Sequence, residues 1–191
     1  MKVLRAADHK RMPWKNGGGE TVEIAISPDG AGLADFDWRV SMATVATDGP
    51  FSVFPGIDRT LSILDGNGMH LFIEGRAPVL LTQESDPLFF PADVPVSAEL
   101  ANGAITDLNV MTRRDRLRHN VLSLAIDGRQ ELPLTGEQSL LLCHRGHTEV
   151  NLAKDKIALV RGDALLLEAA VDGCLQLHGN ALLYAITIAA I

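Results

Sequence analysis

The stretch Asp107-Leu108-Asn109-Val110-Met111-Thr112-Arg113 alternates polar and apolar side chains. A two-residue period is that of a β-strand, whose successive side chains point to opposite faces. Asp107, Asn109, Met111 and Arg113 therefore share one face, and Leu108 and Val110 take the other. The same rhythm recurs upstream. In Trp38-Arg39-Val40-Ser41-Met42, Arg39 and Ser41 oppose Trp38, Val40 and Met42; in the strand from Thr21, Thr21, Glu23 and Ala25 oppose Val22, Ile24 and Ile26. Arg59 opens a further strand after the turn Phe54-Pro55-Gly56-Ile57-Asp58.

Extended along the chain, this alternation predicts strands at 21–27, 38–46, 59–64, 69–73, 78–82, 96–100 and 105–112. A second series follows at 121–126, 139–144, 156–160, 164–167, 173–177 and 182–188. Gly, Pro, Asn and Asp punctuate these runs about every eight to twelve residues, as in a sandwich or barrel. No segment reads as a substantial amphipathic helix. The fold class is all-β.

The chain has 191 residues, more than the ~100–150 of a modal domain, so it forms one large β unit or two packed halves. Phe90-Pro91-Ala92-Asp93 and Val160-Arg161-Gly162-Asp163 echo one another, each before a strand, with later turns at Asn102-Gly103 in one block and at Asp172-Gly173 and Gly179-Asn180 in the other. If the echo marks a duplication, the architecture is two packed jelly-roll barrels, 1–114 and 115–191, with strands free to be exchanged between the halves. The charged run Arg113–Arg118 would connect them, or form a contact surface for assembly.

Composition narrows the function. Hydrophobic residues are 47% and charged residues 21%, which excludes a disordered chain. With 24 acidic against 17 basic residues the net charge is −7, the opposite of a phosphate-tracking surface; nucleic acid is not an expected partner. The longest apolar stretch, 181–191, is about half of the ~20 residues of a membrane helix, and no secretory h-region stands at the start. A chain not bound to membrane, in the cytoplasm, is expected, with Cys143 and Cys174 as reduced thiols. Homodimerisation is left open.

The densest unusual composition is Met12-Pro13-Trp14-Lys15-Asn16-Gly17-Gly18-Gly19-Glu20-Thr21. Consecutive glycines permit positive φ or close main-chain approach, or form a flexible entry loop. No Gly-Lys-Ser/Thr follows, so this is no phosphate loop. The polar strand faces turn either to solvent, as in many antiparallel sheets, or into a barrel mouth. Together they hold Lys15, Arg39, Arg59 and Arg113 against Glu23 and Asp107, a local cation surplus suited to a carboxylate ligand. No nucleophile motif surrounds either cysteine, and no His-x-His occurs; His144 and His147, across an expected turn at Gly146, form the one histidine cluster. Glu23 and Asp107 are candidate acid/base groups. Metal ligands and cofactors are not expected.

The strings Met12–Gly19, Trp38–Ser41, Gly49–Leu61 and Asp107–Arg113, in this order, resemble the HutD/Ves family. The resemblance is specific over Leu4 to Arg114; Leu108 stands where it implies Phe. It implies a bicupin, two cupin-type jelly-roll barrels in one chain, associated with histidine utilisation. It further implies an accessory or regulatory protein that binds a small carboxylate metabolite, N-formyl-L-glutamate being the favoured dicarboxylate. The pocket residues it implies are Trp14, Lys15, Asn16, Arg39, Ser41, Arg59, Asp107, Asn109 and Arg113; the cation-rich polar lining itself points to Arg39 and Arg59 as anion clamps. The alternative is a metal-independent hydrolase or isomerase acting on a histidine-degradation intermediate.

Overall fold

A computed structural model of the chain describes residues 1–15, 17–133, 136–170 and 173–191. Its strands, in chain order, are β1 (Lys2–Leu4), β2 (Lys10–Pro13), β3 (Gly19–Ser27), β4 (Trp38–Val45), β5 (Gly49–Pro50), β6 (Ile57–Asp65), β7 (Met69–Ile73) and β8 (Val79–Leu81). They continue with β9 (Leu88–Pro91), β10 (Val96–Leu100), β11 (Ile105–Arg113), β12 (Leu117–Pro133), β13 (Gln138–Leu152), β14 (Asp155–Val160), β15 (Ala164–Leu167) and β16 (Cys174–Ala190). Among the described residues no helix is long and apolar enough to cross a membrane.

The chain divides into two compact units, Lys10–Arg118 and Met1–His9 with His119–Ile191. The first nine residues thus leave the N-terminal half in which the 1–114 division had placed them. The cause is backbone pairing: Lys2, Val3 and Leu4 stand opposite Leu166, Leu165 and Ala164. Asp163 secures the same segment, accepting hydrogen bonds from the Ala6 backbone N–H (3.0 Å) and from Arg5 Nη1 (2.6 Å).

In the 10–118 unit a six-stranded antiparallel sheet runs β2-β3-β4-β11-β6-β9, and a four-stranded sheet runs β5-β10-β7-β8. Leu61, Ile63 and Phe90 from the first share one apolar core with Met69, Leu71 and Ala98 from the second. At the far end of the six-stranded sheet, Phe36, Ile57, Ala92 and Met111 form a separate cluster. A bulge in β3 inserts Ile24 between the pairs Glu23–Ser41 and Ala25–Val40. Ile26, not Ala25, therefore lies opposite Arg39, contrary to the strict alternation expected of Thr21–Ser27.

The other unit is a sheet ordered β1-β15-β13-β16-β12, with β14 paired to β13. Its order β15-β13-β16-β12 repeats β9-β6-β11-β4 of the first unit, so an internal echo exists in topology. It does not reside in the quoted tetrapeptides: Asp93 follows β9, whereas Asp163 precedes β15, the counterpart of β9. Two expected turns are absent. β13 runs through Gly146 and β16 through Gly179-Asn180, with Gly146 opposite Ala181 and Gly179 opposite Thr148. A Cβ at Gly146 would collide with the Asn180 carbonyl, and one at Gly179 with that of His147. These glycines serve close backbone approach, another use of glycine inside strands. Asp172, the other expected turn residue, lies outside the described residues.

Candidate functional site

The register of the six-stranded sheet lays its inward side chains in three rows. One row is Thr21, Ala43, Asp107 and Ile63; the next is Glu23, Ser41, Asn109, Leu61 and Leu88; the third is Ile26, Arg39, Met111, Arg59 and Phe90. Arg39, Ser41, Arg59 and Asp107 are 6%, 2%, 5% and 1% exposed. The polar face of these strands is thus turned into the unit and not to bulk solvent.

Arg59 lies in an aromatic cage. Its guanidinium carbon is 5.4, 5.3 and 5.9 Å from the ring centres of Phe51, Phe54 and Phe90, within cation–π reach. The rings occupy its surroundings without offering an acceptor. Nη2 touches only Met111 Sδ, at 3.9 Å, and the buried Nε has no partner. Nε and Nη2 form one edge of the guanidinium fork, the edge that takes a carboxylate side-on. Burial pulls the Arg59 pKa down to about 10, opposed by the charge of Asp107 and assisted by that of Arg39. The group is still a cation at neutral pH.

Arg39 is differently placed. Its Nε donates to Glu23 Oε2 at 2.7 Å, with both side chains nearly enclosed, and Lys10 Nζ stands 4.0 Å from Glu23 Oε1. Its charge is matched within the protein. Asp107 accepts a 2.6 Å hydrogen bond from Asn109 Nδ2. Burial pushes its pKa up to about 7, against the Arg59 charge and the hydrogen bonds from Asn109 and the Ala43 backbone. A carboxyl poised there can hold or release a proton near neutrality.

Of the remaining expected residues, Trp14, Lys15 and Arg113 are not brought to this cluster as free binding groups. Trp14 packs against the apolar core and donates from Nε1 to Thr21 Oγ1 at 2.8 Å. Gly19 passes so close that a Cβ there would strike the Thr44 carbonyl and the Trp14 ring. Gly19, the last of the three glycines, thus seats the indole against the apolar core. Lys15 is exposed, and Asn16 lies outside the described residues. Arg113 donates from Nη2 to the Phe36 carbonyl at 3.0 Å and sits 3.7 Å from Asp37. Arg114 bridges Asp58 and Asp93 at 2.6 and 2.9 Å, and Arg116 pairs with Asp37 at 2.8 Å. The charged run therefore staples the 10–118 unit.

Sequence reasoning missed Phe90 and Met111 as neighbours of Arg59. The usable signal was scarcity: aromatic residues are 5% of the chain, yet three converge on one guanidinium, and Phe51 and Phe54 lie in the motif that leads into Arg59.

The HutD family model matches residues 6–185. The chain belongs to the HutD family. This HutD-family protein is 35% identical over 180 residues to an uncharacterised 21.2 kDa Pseudomonas putida protein from the hutC 3' region, covering 94% of this chain and 88% of that one. It is 42% identical over 118 residues to protein Ves of Cronobacter sakazakii, covering 60% and 63% of the two chains. Among solved structures, a conserved Pseudomonas aeruginosa protein of unknown function superposes with TM-score 0.88 at 34% identity, covering 98% of each chain. HutD from Pseudomonas fluorescens SBW25 superposes with TM-score 0.82 at 32% identity, covering 100% of this chain and 98% of that one. A cupin 2 barrel protein from Leptotrichia buccalis, at TM-score 0.60, 13% identity and 94% and 96% coverage, shares the fold alone. The HutD-family chain is thus an all-β protein, as the strand rhythm implied, of cupin type, as the resemblance implied.

Proposed function

We propose that this HutD-family protein binds a small carboxylate metabolite inside its 10–118 unit, as an accessory or regulatory factor of histidine utilisation in the cytoplasm. The observation that carries this reading is Arg59, a caged, buried cation whose Nε has no hydrogen-bond partner and whose Nη2 donates to a thioether sulfur. A buried donor without a partner costs ~1–3 kcal/mol, and a carboxylate answers both the vacancy and the charge. Ser41 and Asn109 in the adjoining row supply neutral polar groups for the rest of the ligand. The name of the P. putida relative, from the hutC region, supports the histidine-utilisation context. N-formyl-L-glutamate, with carboxylates and a formamide, is the ligand we assign.

Thermal denaturation with N-formyl-L-glutamate tests the assignment. At ~100 times the dissociation constant the ligand adds about 2.7 kcal/mol of stability, and Arg59→Met removes the gain while the chain still folds. No shift at millimolar ligand defeats this choice of ligand.

One observation favours a second reading. Asp107, held near neutrality by burial, has the pKa of an effective general base, as a metal-independent hydrolase or isomerase requires. Product formation from N-formyl-L-glutamate or another histidine-degradation intermediate, lost in Asp107→Asn with binding retained, would establish it; binding without turnover across such compounds would reject it.

A further inference from the structure

Two arginines on one inward face suggest two clamps for a dicarboxylate, but their surroundings differ. Arg39 already has its counter-charge: Glu23 accepts from Nε at 2.7 Å, so the enclosed pair is neutral as a unit, and the exposed Lys10 ammonium lies 4.0 Å from Glu23 Oε1. It can donate to a carbonyl or hydroxyl oxygen, but a second carboxylate beside it would face Glu23. Arg113 is tied to the Phe36 carbonyl and Asp37, Arg114 to Asp58 and Asp93, and Lys15 is exposed. Among the described residues of this inward face, Arg59 is the cation whose hydrogen-bonding edge meets no oxygen. Asp107, four residues before Met111 on the same face of β11, is a further buried acid whose charge acts on Arg59.

From this arrangement we infer that the interior seats a single carboxylate, on the Nε–Nη2 edge of Arg59, and that the part of the ligand reaching the Glu23–Arg39 pair is electrically neutral. The inference rests on the proposed carboxylate site and narrows its substrate class: a small acid whose buried far end is a formamide, carbonyl or hydroxyl. Only one carboxylate of N-formyl-L-glutamate is then anchored inside, and the other is dispensable for affinity. Adding a second anion to the interior would place it near two carboxylates in a medium where like charges are poorly screened.

Titration calorimetry with N-formyl-L-glutamate and its two monoamides, N-formyl-L-glutamine and N-formyl-L-isoglutamine, tests this directly. One monoamide should bind within about threefold of the diacid, and the other should lose at least about thirtyfold. Loss of about thirtyfold or more with both would overturn the inference, because both carboxylates would then be engaged. A simpler series separates it from the choice of ligand. Propionate should bind and malonate and succinate should bind at least about tenfold more weakly; tighter binding of the diacids would overturn it. If N-formyl-L-glutamate gives no heat while propionate binds and malonate does not, the named metabolite is wrong and the single-carboxylate rule stands. If no carboxylate binds, the site reading and the inference fall together.

Discussion

Arg59 and Arg39 lie in the same row, yet their removal has opposite consequences for the unliganded chain. Arg39→Met leaves the enclosed Glu23 with only the exposed Lys10, 4.0 Å away, as counter-charge, and breaking a buried pair on one side costs ~3–5 kcal/mol. Arg59→Met replaces a desolvated cation by an apolar side chain of similar length among Phe51, Phe54 and Phe90. We expect urea denaturation at pH 6 to find Arg59→Met at least as stable as wild type and Arg39→Met several kcal/mol weaker; the reverse order would make Arg59 the structural arginine. Asp107 sets the pH dependence. Its folded pKa of about 7 stands above the ~3.9 of an unfolded Asp, so the folded chain holds that proton more tightly. Its stabilising contribution is full below about pH 4 and is lost as pH rises through about 7. Asp107→Asn is spared this loss, so stability relative to wild type should move in the variant's favour, by a few kcal/mol, between those pH values. A gap constant with pH would mean that Asp107 ionises alike in both states.

Among the elements, the strands show where alternation suffices and where it misleads. The run 107–113 revealed its two faces from composition alone because a strand between two partners has little freedom, and β11 lies between β4 and β6. The inward direction of Arg39, Ser41 and Asp107 was one of two readings, decided by which face closed over the four-stranded sheet. That is a tertiary event with no local signature. Neither the Glu23–Arg39 pair nor the closing of Phe90 over Arg59 was legible, since the pair depends on the register of β3 on β4 and Phe90 comes from a strand some thirty residues further on. The bulge at Ile24 defeated a strict two-residue count. Gly146 and Gly179 were read as turn residues because glycine's conformational freedom and its lack of a Cβ look identical in sequence. At Gly146 both properties are used: φ is +73° and no Cβ fits beneath Asn180. Gly146→Ala should therefore cost about 2–3 kcal/mol, the sum of a left-handed residue and a backbone displacement, measurable as a fall in the urea midpoint. An unchanged midpoint would show that the backbone around Gly146 can relax.

At the scale of the molecule, the two units share a strand order but not an interior. The core of the second unit is built from groups such as Leu141, Val150, Leu159, Leu177 and Leu183, and among the described residues this cluster contains no charged side chain like those of the rows between β3 and β6. Leu183→Ala should cost ~2–5 kcal/mol through loss of apolar contact and cavity formation, while the dissociation constant for a carboxylate stays unchanged. A parallel loss of affinity would place part of the binding apparatus outside residues 10–118. The pairing of Lys2–Leu4 with Leu166–Ala164 also bears on biosynthesis. Residues 10–118 emerge from the ribosome as one contiguous block able to close on itself, at ~5–20 residues per second. The Lys2–Leu4 segment must instead wait until residues 164–166 have been translated, so a strand made before that block finds its neighbour only after it.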